Sequence, residues 1–384
     1  MRALGYVPYT VHDIGNRRGP LGQFSFSEDD RIVVTFVSHI LPAVLSRRDQ
    51  PDSSGIHLHG LFVNAKTGQL QKTQEWPTPS LRSGVIPVTG GNFLVVRPDK
   101  LILFSPDLKL LKELEIPVAR EAFKDDWQLY RSPGGKFLLI DYAVASSETL
   151  SPSSCFEMRD ELIDAESLQV SRSWSEFGPA YWMPHPDPCP TSVENPHVNH
   201  WSGISDDGSL LTIDNTGAPA VGHLDGVFHV LCSHNNPNCR GGSFVNNQTV
   251  LVWPSPRLHH PITLISISGE ILPIKELDEN EMLRSVAKST GGERFAISVE
   301  RSKGGSELLD IGPTWFADRI MVYDIPSRKW IYTLDPKKQG ITKISELALS
   351  PDGTLLALID QNGILQVYDI SVRAGWPRNR QEKF

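Results

Sequence analysis

The chain has 384 residues, 39% of them hydrophobic and 21% charged, with a net charge of −8. This is enough apolar material for a sizeable core, and the acidic balance argues against a protein that coats nucleic acid. No apolar run approaches the roughly 18 residues that span a bilayer, so no membrane insertion is expected.

The N-terminal stretch from Met1 to Gly22 lacks the apolar centre of a signal peptide. A soluble protein is expected, cytoplasmic as written, or periplasmic or secreted if an N-terminal signal has been removed. Tyr6 to Ile14 has strand character but belongs to no complete unit. After it, one pattern recurs: the end of a strand, a tight turn rich in Ser, Asp, Asn and Gly, and a second strand. It is seen at Phe26-Ser27-Glu28-Asp29-Asp30-Arg31-Ile32 and Val88-Thr89-Gly90-Gly91-Asn92-Phe93. Tyr130-Arg131-Ser132-Pro133-Gly134-Gly135-Lys136-Phe137 and Ile204-Ser205-Asp206-Asp207-Gly208 follow. Phe244-Val245-Asn246-Asn247-Gln248-Thr249, Lys288-Ser289-Thr290-Gly291-Gly292 and Leu349-Ser350-Pro351-Asp352-Gly353 complete the set. Most are followed by a second hairpin, best seen in Ile320-Met321-Val322-Tyr323-Asp324-Ile325, Pro326-Ser327-Arg328-Lys329 and Trp330-Ile331-Tyr332. Helix-like stretches are short, as at Glu276 to Ser285.

Two hairpins make four strands. Seven such units predict an all-β fold, a single seven-bladed β-propeller of four-stranded antiparallel blades. Blades are expected to start near residues 22, 84, 127, 201, 241, 285 and 344. The spacing of about 54 residues exceeds the 40–45 of common propeller repeats. Insertions at Ser38 to Ser54, Val144 to Ser154, Phe177 to His200 and Ser302 to Ala317 account for the excess. The last unit supplies only three strands, so the N-terminal strand, about 6–14, is expected to complete the last blade. The propeller then spans 1–372, and 373–384 is a mobile polar tail.

Ser350-Pro351-Asp352-Gly353, Val367-Tyr368-Asp369-Ile370 and Val322-Tyr323-Asp324-Ile325 resemble the repeats of WD40-like and YVTN-type bacterial propellers. Both Tyr-Asp pairs stand where a WD40 repeat has Trp-Asp. Gly-His occurs once, at Gly222-His223, out of register, so the structural His/Asp network of that family is not carried over. The resemblance implies a fold that hosts scaffolds, lactonases, lyases and quinoproteins, and so assigns no chemistry.

Histidine and thiolate side chains suit zinc or copper. The metal-ligand candidates are His185, Cys189, His197 and His200, in a proline-rich insertion whose spacing matches no standard site. Cys232 and Cys239 are spaced to allow a disulfide across a strand end. His57 and His59, two apart on a strand, share one face and would line a surface or the central channel. Asp125-Asp126 and Asp206-Asp207 read as turn acids, and Glu300-Arg301 as a possible ion pair. Phosphate-loop, dinucleotide and nucleophile-elbow motifs are absent.

The leading expectation is a monomeric, non-enzymatic binding propeller that presents loops on one face to a protein or peptide partner. No nucleic-acid partner is expected. Tyr181, Trp182, Trp201 and Trp315 are the partner-binding candidates, because large aromatics anchor interfaces. The expected cofactor is none. The alternative is a metal-dependent lactonase- or lyase-type enzyme with one divalent ion at the mouth of the central channel.

Overall fold

The computed structural model describes residues 2–4, 24–28, 31–39, 56–79, 83–116, 127–143, 156–178, 201–213, 219–222, 228–231, 241–253, 261–303, 314–360 and 364–371. These form seven four-stranded antiparallel sheets, six built from one repeat each and the seventh from the last repeat and an N-terminal strand. The first strands of blades 1 to 7 are Phe24–Phe26, Gly84–Pro87, Trp127–Arg131, Trp201–Ile204, Gly241–Asn246, Glu281–Lys288 and Ile344–Leu349. First strands of neighbouring blades pack on one another, so they are innermost and surround the centre of the ring. The architecture is a β-propeller, as the repeats predict. Among the described residues no helix is long and apolar enough to cross a membrane.

Each blade is covered on both faces by its neighbours. Its middle strands therefore carry continuous apolar runs, such as Phe93–Val96, rather than alternating ones. Every interface between adjacent blades holds one apolar cluster. Phe62 and Phe93 join blades 1 and 2, Leu94 and Trp127 blades 2 and 3, and Leu139 and Leu210 blades 3 and 4. Leu211 and Phe244 join blades 4 and 5, Leu251 and Phe295 blades 5 and 6, and Val322 and Leu356 blades 6 and 7. Ala357 and Ile32 close the ring between blades 7 and 1. The outermost strands, such as Leu110–Glu115, are exposed and carry charges, which discourages pairing with other chains.

A belt of hydrogen bonds links the turns on one face. Arg31 Nη1 of blade 1 donates to Pro106 O of blade 2, and Thr89 N of blade 2 donates to Gly135 O of blade 3. Gly134 N donates to both oxygens of Asp206, and Asp206 N donates to Asn247 Oδ1. Asn246 Nδ2 donates to Gly292 O, and Gly291 N to Pro351 O. The turn serines Ser27, Ser132, Ser205, Ser289 and Ser350 are all buried. Their hydroxyls bond the backbone across the turn, as in Leu355 N to Ser350 Oγ at 2.8 Å.

The last blade is completed by an N-terminal strand, as expected. It is Arg2–Leu4, paired antiparallel with Leu365–Asp369; the stretch 6–14 lies outside the described residues, as does the tail 373–384. Three local expectations are corrected. The helix-like stretch is the end of one strand, Ile271–Glu276, and the start of another, Glu281–Lys288; burial between neighbouring blades overrides a weak helical preference. Blade 6 therefore starts at 281 rather than 285. The insertion placed at Ser302 to Ala317 is in part a longer hairpin, with Ser302 opposite Trp315 and Lys303 opposite Thr314. Glu300 and Arg301 do not pair with each other, because successive strand residues point to opposite faces. Arg301 meets Glu281 instead, and Glu300 lies 3.9 Å from Arg284.

Candidate functional site

In three blades the residue before the turn serine is apolar and buried: Phe26, Ile204 and Leu349. In blades 3 and 6 the same position holds Arg131 and Lys288. Both line a cavity of about 140 Å³ at the centre of the ring, with Phe24, Phe26, Ala287 and Leu347 among its walls. Both cations stand at the ends of innermost strands, which surround the centre of the ring.

Glycine makes the approach possible. A side chain at Gly135, which has φ 74°, would meet Arg131 Nη2 at 2.9 Å, and one at Gly134 would meet the Asp206 carboxylate at 2.8 Å. Arg131 Nε is buried without a hydrogen-bond partner. Lys288 Nζ donates to the neutral Ser243 Oγ at 3.1 Å. Burial pulls the Lys288 ammonium down to about 8; the charge of Arg131 pushes the same way and Asp206 opposes. Burial also lowers Arg131, against the attraction of Asp206 and Glu28. The centre of the ring is thus cationic, and Asp206 is occupied by the backbone of the neighbouring turn.

The opposite face carries the described candidates His57, His59, Trp201 and Trp315. His57 and His59 share a face on the third strand of blade 1, Ile56–Asn64, away from the central channel. Both point at Glu75 on the fourth strand, at 2.6 and 3.7 Å. The His59 ring stacks on Phe36, with centroids 4.7 Å apart. Burial lowers the His59 pKa, and Glu75 opposes. Trp315 is half-buried on the third strand of blade 6, and Trp201 opens the first strand of blade 4 opposite Thr212. Tyr181, Trp182, His185, Cys189, His197, His200, Cys232 and Cys239 lie outside the described residues. Among the described residues no three His, Cys, Asp or Glu gather as a metal site.

One acidic pair escaped sequence reasoning. Asp141 stands directly opposite Asp160 on neighbouring strands of blade 3, and Asp160 is buried. Leu139, two residues earlier and so on the same face, packs against blade 4. Burial raises the Asp141 carboxyl to about 7. A carboxyl whose folded pKa exceeds its unfolded value costs little near pH 4, costs more as pH rises from the unfolded towards the folded value, and carries its full cost above that folded value. Asp141→Asn is expected to stabilise the fold by about 1–3 kcal/mol at pH 8 and to leave it unchanged at pH 4. Urea denaturation at the two pH values checks this, and an equal effect at both would show that the carboxylate charge is not the cause.

These features define a seven-bladed β-propeller with a cationic centre. No protein-family description matches the sequence, and no curated protein does. Among solved structures, a chain of the crystal structure of the mitotic checkpoint complex is similar at a TM-score of 0.47 and 10% identity, over 95% of this chain and 98% of that one.

Proposed function

We propose that this protein is a non-enzymatic binding scaffold that presents one face of its ring to a protein or peptide partner. The observation that carries this reading is the difference between the two faces. One is closed by the belt of turn-to-turn hydrogen bonds. The strand ends of the other give rise to the connections 40–55, 144–155, 179–200 and 304–313. A rigid ring with variable connections on one side suits recognition, since those connections change without disturbing the core. Trp201 and Trp315 stand at strand ends of that same face. The scaffold reading is also supported by the charge of the central cavity, because Arg131 and Lys288 repel a divalent cation of the kind a lactonase or lyase would hold.

The test is site-specific photo-crosslinking in cells of the source organism. A crosslinker at Trp315 is expected to trap one discrete partner, and one at Arg328, in a turn of the opposite face, is expected to trap none. A Trp315→Ala variant should then lose at least tenfold in affinity for the purified partner. Equal crosslinking from both positions, or affinity unchanged by the substitution, overturns the reading.

A further inference from the structure

We propose that the central cavity is a binding site for one small oxyanion of phosphate size, held between the Arg131 guanidinium and the Lys288 ammonium. The partner reading rests on the connections of the other face and draws on this cavity only for its charge, so phosphate binding and partner binding fail separately.

Three observations converge on it. First, the two cations interrupt a repeat position that is apolar in blades 1, 4 and 7. A break in an otherwise consistent pattern marks a place where stability yields to function. Second, no carboxylate among the described residues forms a direct ion pair with either group. Asp206 acts on both from a distance while its oxygens accept hydrogen bonds from Gly134. Two like charges buried without direct neutralisation destabilise a fold, and a bound anion removes that cost. Third, the donors have capacity to spare. Arg131 Nε has no partner, and the one bond from Lys288 goes to a neutral hydroxyl. A tetrahedral oxyanion takes charge-assisted bonds from such donors.

Size sets the class of ligand. A cavity of about 140 Å³ is close to the roughly 150 Å³ that encloses a benzene ring. It has room for one phosphoryl group. Two facing cations match a dianion better than a monoanion. The shared chemistry is therefore that of inorganic phosphate or the phosphoryl end of a small ester.

Isothermal titration of the full-length protein with inorganic phosphate, at pH 7.5 and constant ionic strength, tests this. Saturable binding of one equivalent is expected, with acetate at least tenfold weaker. Arg131→Gln and Lys288→Met should each weaken phosphate binding at least tenfold. Free phosphoserine distinguishes the sources: comparable or tighter binding assigns the site to a phosphoryl end, and exclusion assigns it to the free ion. Folding is controlled by thermal denaturation. Without phosphate, Lys288→Met should melt no lower than the native protein, because one of two repelling charges is gone. With saturating phosphate the order should invert. No saturable binding to the native protein, binding unchanged in both variants, or a thermal shift reproduced by chloride alone overturns the proposal.

Discussion

Phe295→Ala is expected to lower the unfolding free energy by about 3–5 kcal/mol, in the range for deleting a buried aromatic ring. Phe295 is fully buried on the second strand of blade 6. Its ring lies 5.3 Å from that of Tyr323 and 6.1 Å from that of Trp330, which themselves meet edge to face at 5.0 Å. Trp330 Nε1 in turn donates to Ile274 O of blade 5. The substitution therefore loses contact area, leaves a cavity and loosens the seam between two blades. Phe295→Leu keeps most of the volume and should cost only about 1 kcal/mol. Denaturant unfolding measures the totals. Hydrogen exchange should show protection falling first in blades 5 and 6, because a repeat unit is coupled most strongly to its neighbours. Uniform loss around the ring would refute that coupling.

Glu281→Ala is expected to cost about 3 kcal/mol, by removing the buried one of the two carboxylates that Arg301 and Arg319 share. The Glu281 side chain is 1% exposed. Its oxygens accept from Arg319 Nη1 at 2.6 Å and Nη2 at 2.7 Å, from Arg301 Nη2 at 2.5 Å and from Asp278 N at 3.1 Å. Asp318 holds the same two arginines and Lys337. Burial alone would raise the Glu281 pKa, but these hydrogen bonds and the Arg319 charge outweigh it and bring it to about 2. A carboxyl depressed on folding stabilises the protein above its unfolded pKa and loses that contribution as pH falls towards the folded value. The gap between native protein and Glu281→Gln should thus be constant above pH 5 and shrink between about 4.5 and 2. Urea unfolding across that range measures it, and a gap that does not change with pH would assign the loss to packing.

Much of the ring was legible in the sequence because its signals are local. Ser132-Pro133-Gly134-Gly135 and Ser350-Pro351-Asp352-Gly353 encode tight turns through residue chemistry alone, with Gly135 at φ 74° and Gly353 at φ 67°. Six of the seven first strands open within about two residues of the expected positions. The exception is blade 6. Its first strand, Glu-Met-Leu-Arg-Ser-Val-Ala-Lys, has no β pattern of its own and becomes a strand only between its neighbours.

The candidate site was far less legible, although one signal lay in plain view. Aligned on the turn serines, the repeats put Arg131 and Lys288 where Phe26, Ile204 and Leu349 stand. Comparing repeats position by position, rather than searching for ligand motifs, would have found both. The pairing of Asp141 with Asp160 carries no such signal, since it depends on strand register across an insertion.

The sequence alone determined how many blades there are, where all but blade 6 begin and how tightly each turns, because turn chemistry and apolar runs act over a few neighbouring residues. Only the tertiary structure decided which distant charges meet. Arg131 and Lys288 line one cavity because ring closure gathers first strands of separate blades, and Glu281 joins Arg301 to Arg319 because strand register sets three strands of blade 6 side by side. Those distances follow from the packing of all seven sheets and are written in no single segment.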